Sequence, residues 1–318
     1  MTIHNHTRTQ FHKLLSVFFT LTLLLLCAAP ALCADSGSIR FVQVSDVHYN
    51  PSRNNVKGRM VHESGTLLRD AVVQINAMPE IDFVVFTGDL IDHPSEKLIE
   101  EFAGIANGLK PPWFYAQGNH DVGPGGLTRK QFRLIMNRYN KHQQSTGDCT
   151  VFRGRGFLFF FLDGPIDNEV TSKGYFAHDA LNTMSQVLAE NPDTPAAVFQ
   201  HFPVVYPIRS DSHSVKNDKQ YLQVIDARPN VKAVFSGHFH MASVKERNGV
   251  AHIAAPALVQ FPNAFRVITM AKTNQGVTIT GRLVETHLKG VQDKSKNASS
   301  WQTHYGQEKD RNFSITLK

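Results

Sequence analysis

Five short stretches of this 318-residue chain hold side chains that bind cations or move protons. They are Asp46-Val47-His48, Gly88-Asp89, Gly118-Asn119-His120-Asp121, His201 and Gly237-His238-Phe239-His240. Each follows an apolar run that reads as a buried strand: Val42 to Val44, Val84 to Phe86, Trp113 to Ala116, Val198 to Phe199 and Val234 to Phe235. A lone histidine after a strand is most often a hydrogen-bonded turn residue, and a lone aspartate is most often a cap. Five strand ends of this type in one chain ask for a common cause. In a parallel sheet such ends converge on one edge, which is where ligands bind in α/β folds.

The residue types define the chemistry. Neutral imidazole nitrogens mixed with carboxylate oxygens suit Mn, Fe, Zn or Co better than Ca or Mg. The number of donors is enough for two metal ions. Asp46 and His48 are two apart, as are His238 and His240, so each pair faces one way if its strand continues through it. Glycines 88, 118 and 237 let backbone approach something small. No glycine-rich phosphate loop and no Gly-x-Ser-x-Gly turn occurs, which argues against nucleotide-triphosphate and serine-hydrolase readings.

The elements that must position these residues alternate. Strands are expected at 39–44, 82–86, 113–116, 156–162, 196–200 and 233–236, then at 251–255, 265–270 and 277–283. Helices are expected at about 63–78, after Ser95, after a Thr128/Gln131 capping box, at 179–190 and at 218–227. Alternation of this kind predicts an α/β protein with a mostly parallel central sheet, and the strand-rich last third predicts a second sheet packed on the first. Residues 291–310 are polar and are expected to be poorly ordered.

Composition sets the outer bounds. Lys plus Arg minus Asp plus Glu is 33 − 27 = +6, scattered along the chain, which is no nucleic-acid footprint. Residues 1–34 have the layout of a cleavable signal peptide, with Arg8 and Lys13, an apolar core from Leu14 to Cys27, and small residues up to Ala34. Export to the periplasm or medium is therefore expected, with no membrane span after cleavage. Cys27 and Cys33 fall in that segment, so Cys149 is left without a partner and reads as a packing residue.

The ordered set Asp-x-His, Gly-Asp, Gly-Asn-His-Asp, His and Gly-His-x-His resembles the calcineurin-like metallophosphoesterase superfamily. The resemblance runs from Asp46 to His240. It implies a four-layer α/β/β/α sandwich, two mixed sheets flanked by helices, over about residues 35–290, with 291–318 as a polar tail holding a possible last strand. It also implies two divalent transition metal ions. Asp46, His48 and His240 would hold one, Asn119, His201 and His238 the other, and Asp89 would bridge them. The ions would share and acidify a bridging water that attacks phosphorus in line. Asn119 and His120 would contact the phosphoryl group, His120 would serve the leaving oxygen, and Asp121 would orient His120.

Differences from subfamilies narrow the resemblance. Asp92 stands where purple acid phosphatases carry a tyrosine ligand, and Asp92-His93-Pro94 replaces the Asp-Arg-Gly of protein Ser/Thr phosphatases. The stretches His201-Phe202-Pro203, Asn248-Gly249-Val250 and Ala255-Pro256 resemble the compact bacterial cyclic-nucleotide phosphodiesterase branch. The expected substrate is a small phosphodiester: a cyclic nucleotide, another nucleotide or a glycerophosphodiester. A phosphomonoesterase or nucleotide pyrophosphatase of the same fold, and a non-catalytic metal-containing binding protein, are the alternatives. Arg53, Lys57 and Arg59 could meet substrate phosphate, as could Arg153 and Arg155. Phe202, Tyr206 and Phe239 could stack on a base.

Overall fold

The computed structural model describes residues 37–318. The signal-like segment 1–34 lies outside the described residues. In chain order the elements are β1 (Ser38–Val44), α1 (Ser64–Ala77), β2 (Phe83–Thr87), α2 (Glu96–Ala106), β3 (Trp113–Ala116), α3 (Arg129–Tyr139), β4 (Cys149–Gly154), β5 (Phe157–Leu162), α4 (His178–Glu190), β6 (Ala196–Gln200) and α5 (Asp218–Asp226). Then come β7 (Val231–Ser236), β8 (Ser243–Arg247), β9 (Val250–Ala254), β10 (Ala264–Thr273), β11 (Gly276–Glu285), α6 (Lys289–Asn297), α7 (Trp301–Tyr305), α8 (Glu308–Arg311) and β12 (Asn312–Leu317).

The strands form two six-stranded mixed sheets, ordered β12-β11-β10-β1-β2-β3 and β4-β5-β6-β7-β9-β8. Alternation along β1 shows how they stack. Val42 and Val44 point outward onto a core shared with α1, α2 and α3, including Leu68, Phe102 and Phe132. Ile39 and Phe41 point inward onto the second sheet, against Phe159, Phe199 and Phe235. The outer face of the second sheet packs Leu158, Phe160 and Val198 against Leu181 and Met184 of α4 and Tyr221 and Ile225 of α5. The result is the four-layer α/β/β/α sandwich. Strands covered on both faces read as unbroken apolar runs, because neither face meets water.

Phenylalanine dominates the layer between the sheets. The Phe41 ring stacks on Phe83 at 4.8 Å and meets Phe199 and Phe235 edge-on, each at 5.3 Å. Two polar side chains of the first sheet reach through this layer to the second. Gln43 Nε2 donates to Ser236 O at 2.9 Å, and the fully buried Arg266 donates to Ala254 O at 2.9 and 3.1 Å. Both links lie beside the C-terminal end of β7, where the Gly237–His240 motif begins.

The five motif-bearing strands divide between the two sheets. β1, β2 and β3 run parallel in one, and β6 and β7 run parallel in the other. A single central sheet collecting all five ends is thus corrected to two sheets whose edges meet. The strand patterning could not show this, since burial on both faces looks the same in either sheet. Residues 291–310 also differ from the expected loose tail. They form α6, α7 and α8, and β12 pairs with β11. Their polar residues are spent on backbone groups: Ser295 Oγ accepts from Phe261 N and donates to Gly58 O, and Asp310 Oδ1 accepts from Val244 N. Cys149 is free and partly buried in β4. No helix among the described residues is long and apolar enough to cross a membrane.

Phe41→Ala should destabilise the fold by about 3–5 kcal/mol, because the opened cavity is walled by both sheets. Urea unfolding followed by circular dichroism measures this. A loss below about 1 kcal/mol would contradict a shared inter-sheet core.

Candidate metal centre

The strand-end residues converge where the two sheets meet. Asp46 Oδ1 lies 3.3 Å from His240 Nε2, and His48 Nε2 lies 3.2 Å from His240 Nε2. On the other side, His238 Nδ1 lies 3.1 Å from His201 Nε2. Asp89 stands between the two groups. Its Oδ2 is 3.6 Å from His48 Nε2 and 3.3 Å from His201 Nε2. Its Oδ1 accepts from His120 N at 2.8 Å. Two donor sets follow, Asp46-His48-His240 and Asp89-His201-His238.

The backbone reaches this arrangement only through uncommon conformations. Asp46, His48, Asp89, His238 and His240 have φ of 52°, 43°, 49°, 72° and 53°. Such left-handed conformations cost non-glycine residues on the order of 1 kcal/mol or more each. The strands therefore stop before the ligand residues. Regular strand alternation, expected from the two-residue spacing, is not what aims Asp46 with His48 or His238 with His240. Cross-links hold the loops instead: Asp46 N donates to Gly88 O, His48 N to Asp89 O, and His238 N to Asp46 Oδ2. Three glycines are sterically required, and a Cβ at Gly88, where φ is +84°, would lie 2.5 Å from the His201 ring. A Cβ at Gly118 would press on the Asp89 carboxylate and backbone, and one at Gly237 would overlap Ser45 Oγ.

Hydrogen bonds also set the tautomers. His201 Nδ1 meets Thr87 O at 2.9 Å and His240 Nδ1 meets Gln260 Oε1 at 2.7 Å. Both partners are acceptors only in this role, so each Nδ1 carries a hydrogen and each Nε2 points inward, where it can take a cation or a second proton. Two inward lone pairs facing each other are unfavourable unless a proton or a cation lies between them. Burial, and then His120, hold the pKa of His48 well below the usual imidazole value. Burial would lower His201 too, but Asp89 and Asp46 outweigh it and hold its pKa at about 9. His238 Nε2 and Asn119 Oδ1 are buried without a hydrogen-bond partner. Hard and borderline donors clustered around one carboxylate, with orphaned polar atoms beside them, fit a divalent transition metal.

His120 and Asn119 line a cavity of about 480 Å³ together with His48, Asp89, His238 and His240. His120 Nδ1 meets Asp92 O at 2.7 Å. Asp121 does not orient it, contrary to expectation. The Asp121 carboxylate is fully buried and accepts from Leu90 N, Ile91 N and Gly118 N at 2.8, 3.1 and 2.7 Å. It fixes the loops that carry Asp89 and Asn119. Arg59, Lys57 and Phe239 line the same cavity. Arg53 is instead paired with Asp92 at 2.5 Å. That pairing neutralises the third acidic group near the site, so the His48-Asp92-His120 trio is a weaker cation site than the other two. Arg155 pairs with Asp82, just before the start of β2, and Arg153 donates to Asn191; both lie away from the cavity. Phe202 is buried beneath His201 and His238, and Tyr206 donates to Asp218.

Several cavity residues carry no sequence signal. Gln260, His213 and His304 belong to loops or the tail, yet all three line the cavity. His304 Nδ1 meets His240 O at 3.0 Å. Their positions follow no strand end and no motif, so only the folded chain reveals them.

A double sheet flanked by helices, with an imidazole–carboxylate cluster at its edge, is the architecture of the metallo-dependent phosphatases. The chain belongs to the calcineurin-like phosphoesterase family, whose model matches residues 39–242. A 3′,5′-cyclic-nucleotide phosphodiesterase of Nostoc is 23% identical over 69% of this chain and 78% of its own length. The 3′,5′-cyclic adenosine monophosphate phosphodiesterase CpdA of Haemophilus influenzae is 24% identical over 72% of this chain and 80% of its own. Among solved structures, a dimetal phosphatase from Danio rerio superimposes with a TM-score of 0.60 at 17% identity, covering 88% of this chain and 99% of that one.

With its pKa at about 9, His201 is protonated at pH 7, and a cation must displace that proton. Metal uptake near pH 7 should therefore release protons, and affinity should rise with pH up to about 9. Calorimetry of metal binding in two buffers of different ionisation enthalpy reads the release. Identical heats in both buffers would contradict a His201-containing site.

Proposed function

We propose that this chain is an exported, metal-dependent phosphodiesterase acting on small phosphoesters, cyclic nucleotides among them. One observation carries the reading: Asp89 Oδ2 lies between His48 Nε2 and His201 Nε2, on the wall of a cavity that also holds His120. A carboxylate so placed can be shared by two cations, with Asp46, His48 and His240 completing one set and Asn119, His201 and His238 the other. Family membership and the cyclic-nucleotide phosphodiesterase relatives support the diester preference. Export rests on the pattern of residues 1–34.

The bound ions would supply Lewis acidity toward the phosphoryl oxygens and lower the pKa of water. The chain's own residues supply the rest. Asn119 presents its side chain to the cavity and can steady a phosphoryl oxygen. His120 commits Nδ1 to Asp92 O, so any proton it exchanges with the leaving oxygen moves through Nε2. Asp121 and the glycine at 118 keep the Asn119-His120 turn against Asp89. Gln260 and Thr87 hold His240 and His201 in the ligating tautomer.

Protein loaded with Mn, Fe, Zn or Co should hydrolyse bis(p-nitrophenyl) phosphate and cyclic nucleotides faster than p-nitrophenyl phosphate. His120→Ala should lower turnover about 10²–10⁴-fold while metal content stays at the parent level. No hydrolysis of any ester by the loaded parent would favour a binding protein instead. N-terminal sequencing of protein recovered outside the cytoplasm should begin at Ala34 or Asp35; an intact Met1 there would contradict cleavage.

A further inference from the structure

The turn from Val56 to Arg59 stands on the cavity wall, and the catalytic roles above leave it unused. It is a closed two-residue turn: Arg59 N donates to Val56 O at 2.9 Å and Val56 N to Arg59 O at 3.1 Å. Lys57 and Gly58 take the positive φ values, 49° and 80°, that such a turn needs. Three anchors fix it. Gln260 Nε2 donates to Lys57 O at 3.2 Å, and Ser295 Oγ donates to Gly58 O at 2.5 Å. Ala298 and Ser299 pack so closely on Gly58 that a Cβ there would lie 2.5 Å from Ser299 Cβ. Gln260 is also the partner of His240, so one amide ties the turn to the metal-ligating loop.

The turn carries two cations into the cavity. Lys57 and Arg59 both line it, and among the described residues the only carboxylate lining it is Asp89, which is engaged with His48 and His201. Neither cation has an ion-pair partner among the described residues, whereas the neighbouring Arg53 is paired with Asp92. A merely solvated basic loop needs no such anchoring. Two like charges carried two residues apart on one anchored turn repel, and an anion placed between them relieves that repulsion.

We propose that the Val56–Arg59 turn is a subsite for a second anionic group of the substrate, beyond the phosphoryl group that reacts at Asp89. The inference rests on the phosphoesterase reading and narrows it. The favoured substrates are diphosphate esters, or phosphoesters that bear a further phosphate or carboxylate. A diester with a single negative charge brings no second anion to the turn.

The test compares an adenosine diphosphate ester with bis(p-nitrophenyl) phosphate on metal-loaded protein, for the parent and a Lys57→Met/Arg59→Gln double variant. The double variant should lose kcat/KM on the diphosphate ester at least tenfold more than on the mono-anionic diester, mostly through KM. Arg59→Lys, which keeps the charge, should recover most of the loss. Equal losses on both esters, or none, would overturn the subsite. Calorimetric binding of α,β-methylene adenosine diphosphate at fixed Mn gives a second readout. Affinity should fall at least tenfold in the double variant, while inorganic phosphate binding changes less. If the parent turns over neither ester, the phosphoesterase reading fails, and this binding comparison decides the subsite by itself: unchanged affinity overturns it, and a selective loss supports it.

Discussion

Everything at the site depends on one buried carboxylate having neighbours on two sides. Asp89 Oδ2 sits within 3.6 Å of a histidine from the β1 loop and 3.3 Å of a histidine from the β6 loop. Those loops leave different sheets. The sandwich must therefore hold two sheet edges in register, or the donors part. The inter-sheet phenylalanines supply the bulk attraction, but such contacts are non-directional and tolerate sliding. Directional links are needed as well. Gln43 to Ser236 O, His201 to Thr87 O and His238 N to Asp46 each cross from one sheet to the other beside the site.

Gathering the donors has a conformational cost. Five of the seven expected ligands have left-handed backbones, and three flanking glycines admit no side chain. Five imidazoles and two carboxylates in one small volume also repel or desolvate one another, which drives the pKa of His48 and His238 down, chiefly by burial, and leaves His201 raised beside Asp89. Surrounding hydrogen bonds over-determine the loops and offset that strain. Ten non-glycine residues among the described ones have positive φ, and five of them are these expected ligands; observed strain of this kind is what points to a functional site. The same edge is reinforced from behind by the tail, through His304 on His240 O and Ser295 on the Gly58 turn.

Much of this was legible before any coordinates. The apolar runs marked the strands, and the residue types after them marked the chemistry, because a covered strand must end before polar donors can begin. The α1, α2 and α3 stripes follow helical spacing, and the Thr128–Gln131 capping box is present. Besides the cavity residues Gln260, His213 and His304, three things were not legible. Which sheet a strand joins is decided by partners remote in sequence, so β6 and β7 gave no sign of leaving the β1 sheet. Asp121 follows His120 in the chain, but its carboxylate is used up by three backbone amides, a local need that residue types alone do not reveal. Polarity alone makes the tail look loose. Gln292 and Ser295 are buried because they satisfy backbone groups of Pro262, Thr286, Phe261 and Gly58, a role that composition hides.

The central claim is that Asp89 is shared by cations held between the two histidine groups. Anomalous scattering from crystals of the metal-loaded protein, collected at the Mn, Fe, Co and Zn edges, tests it most directly. The account predicts two peaks flanking Asp89 Oδ2, one within coordination distance of His48 and His240, the other of His201 and His238. No peak beside Asp89, or a single peak held only by His48, Asp92 and His120, would contradict it.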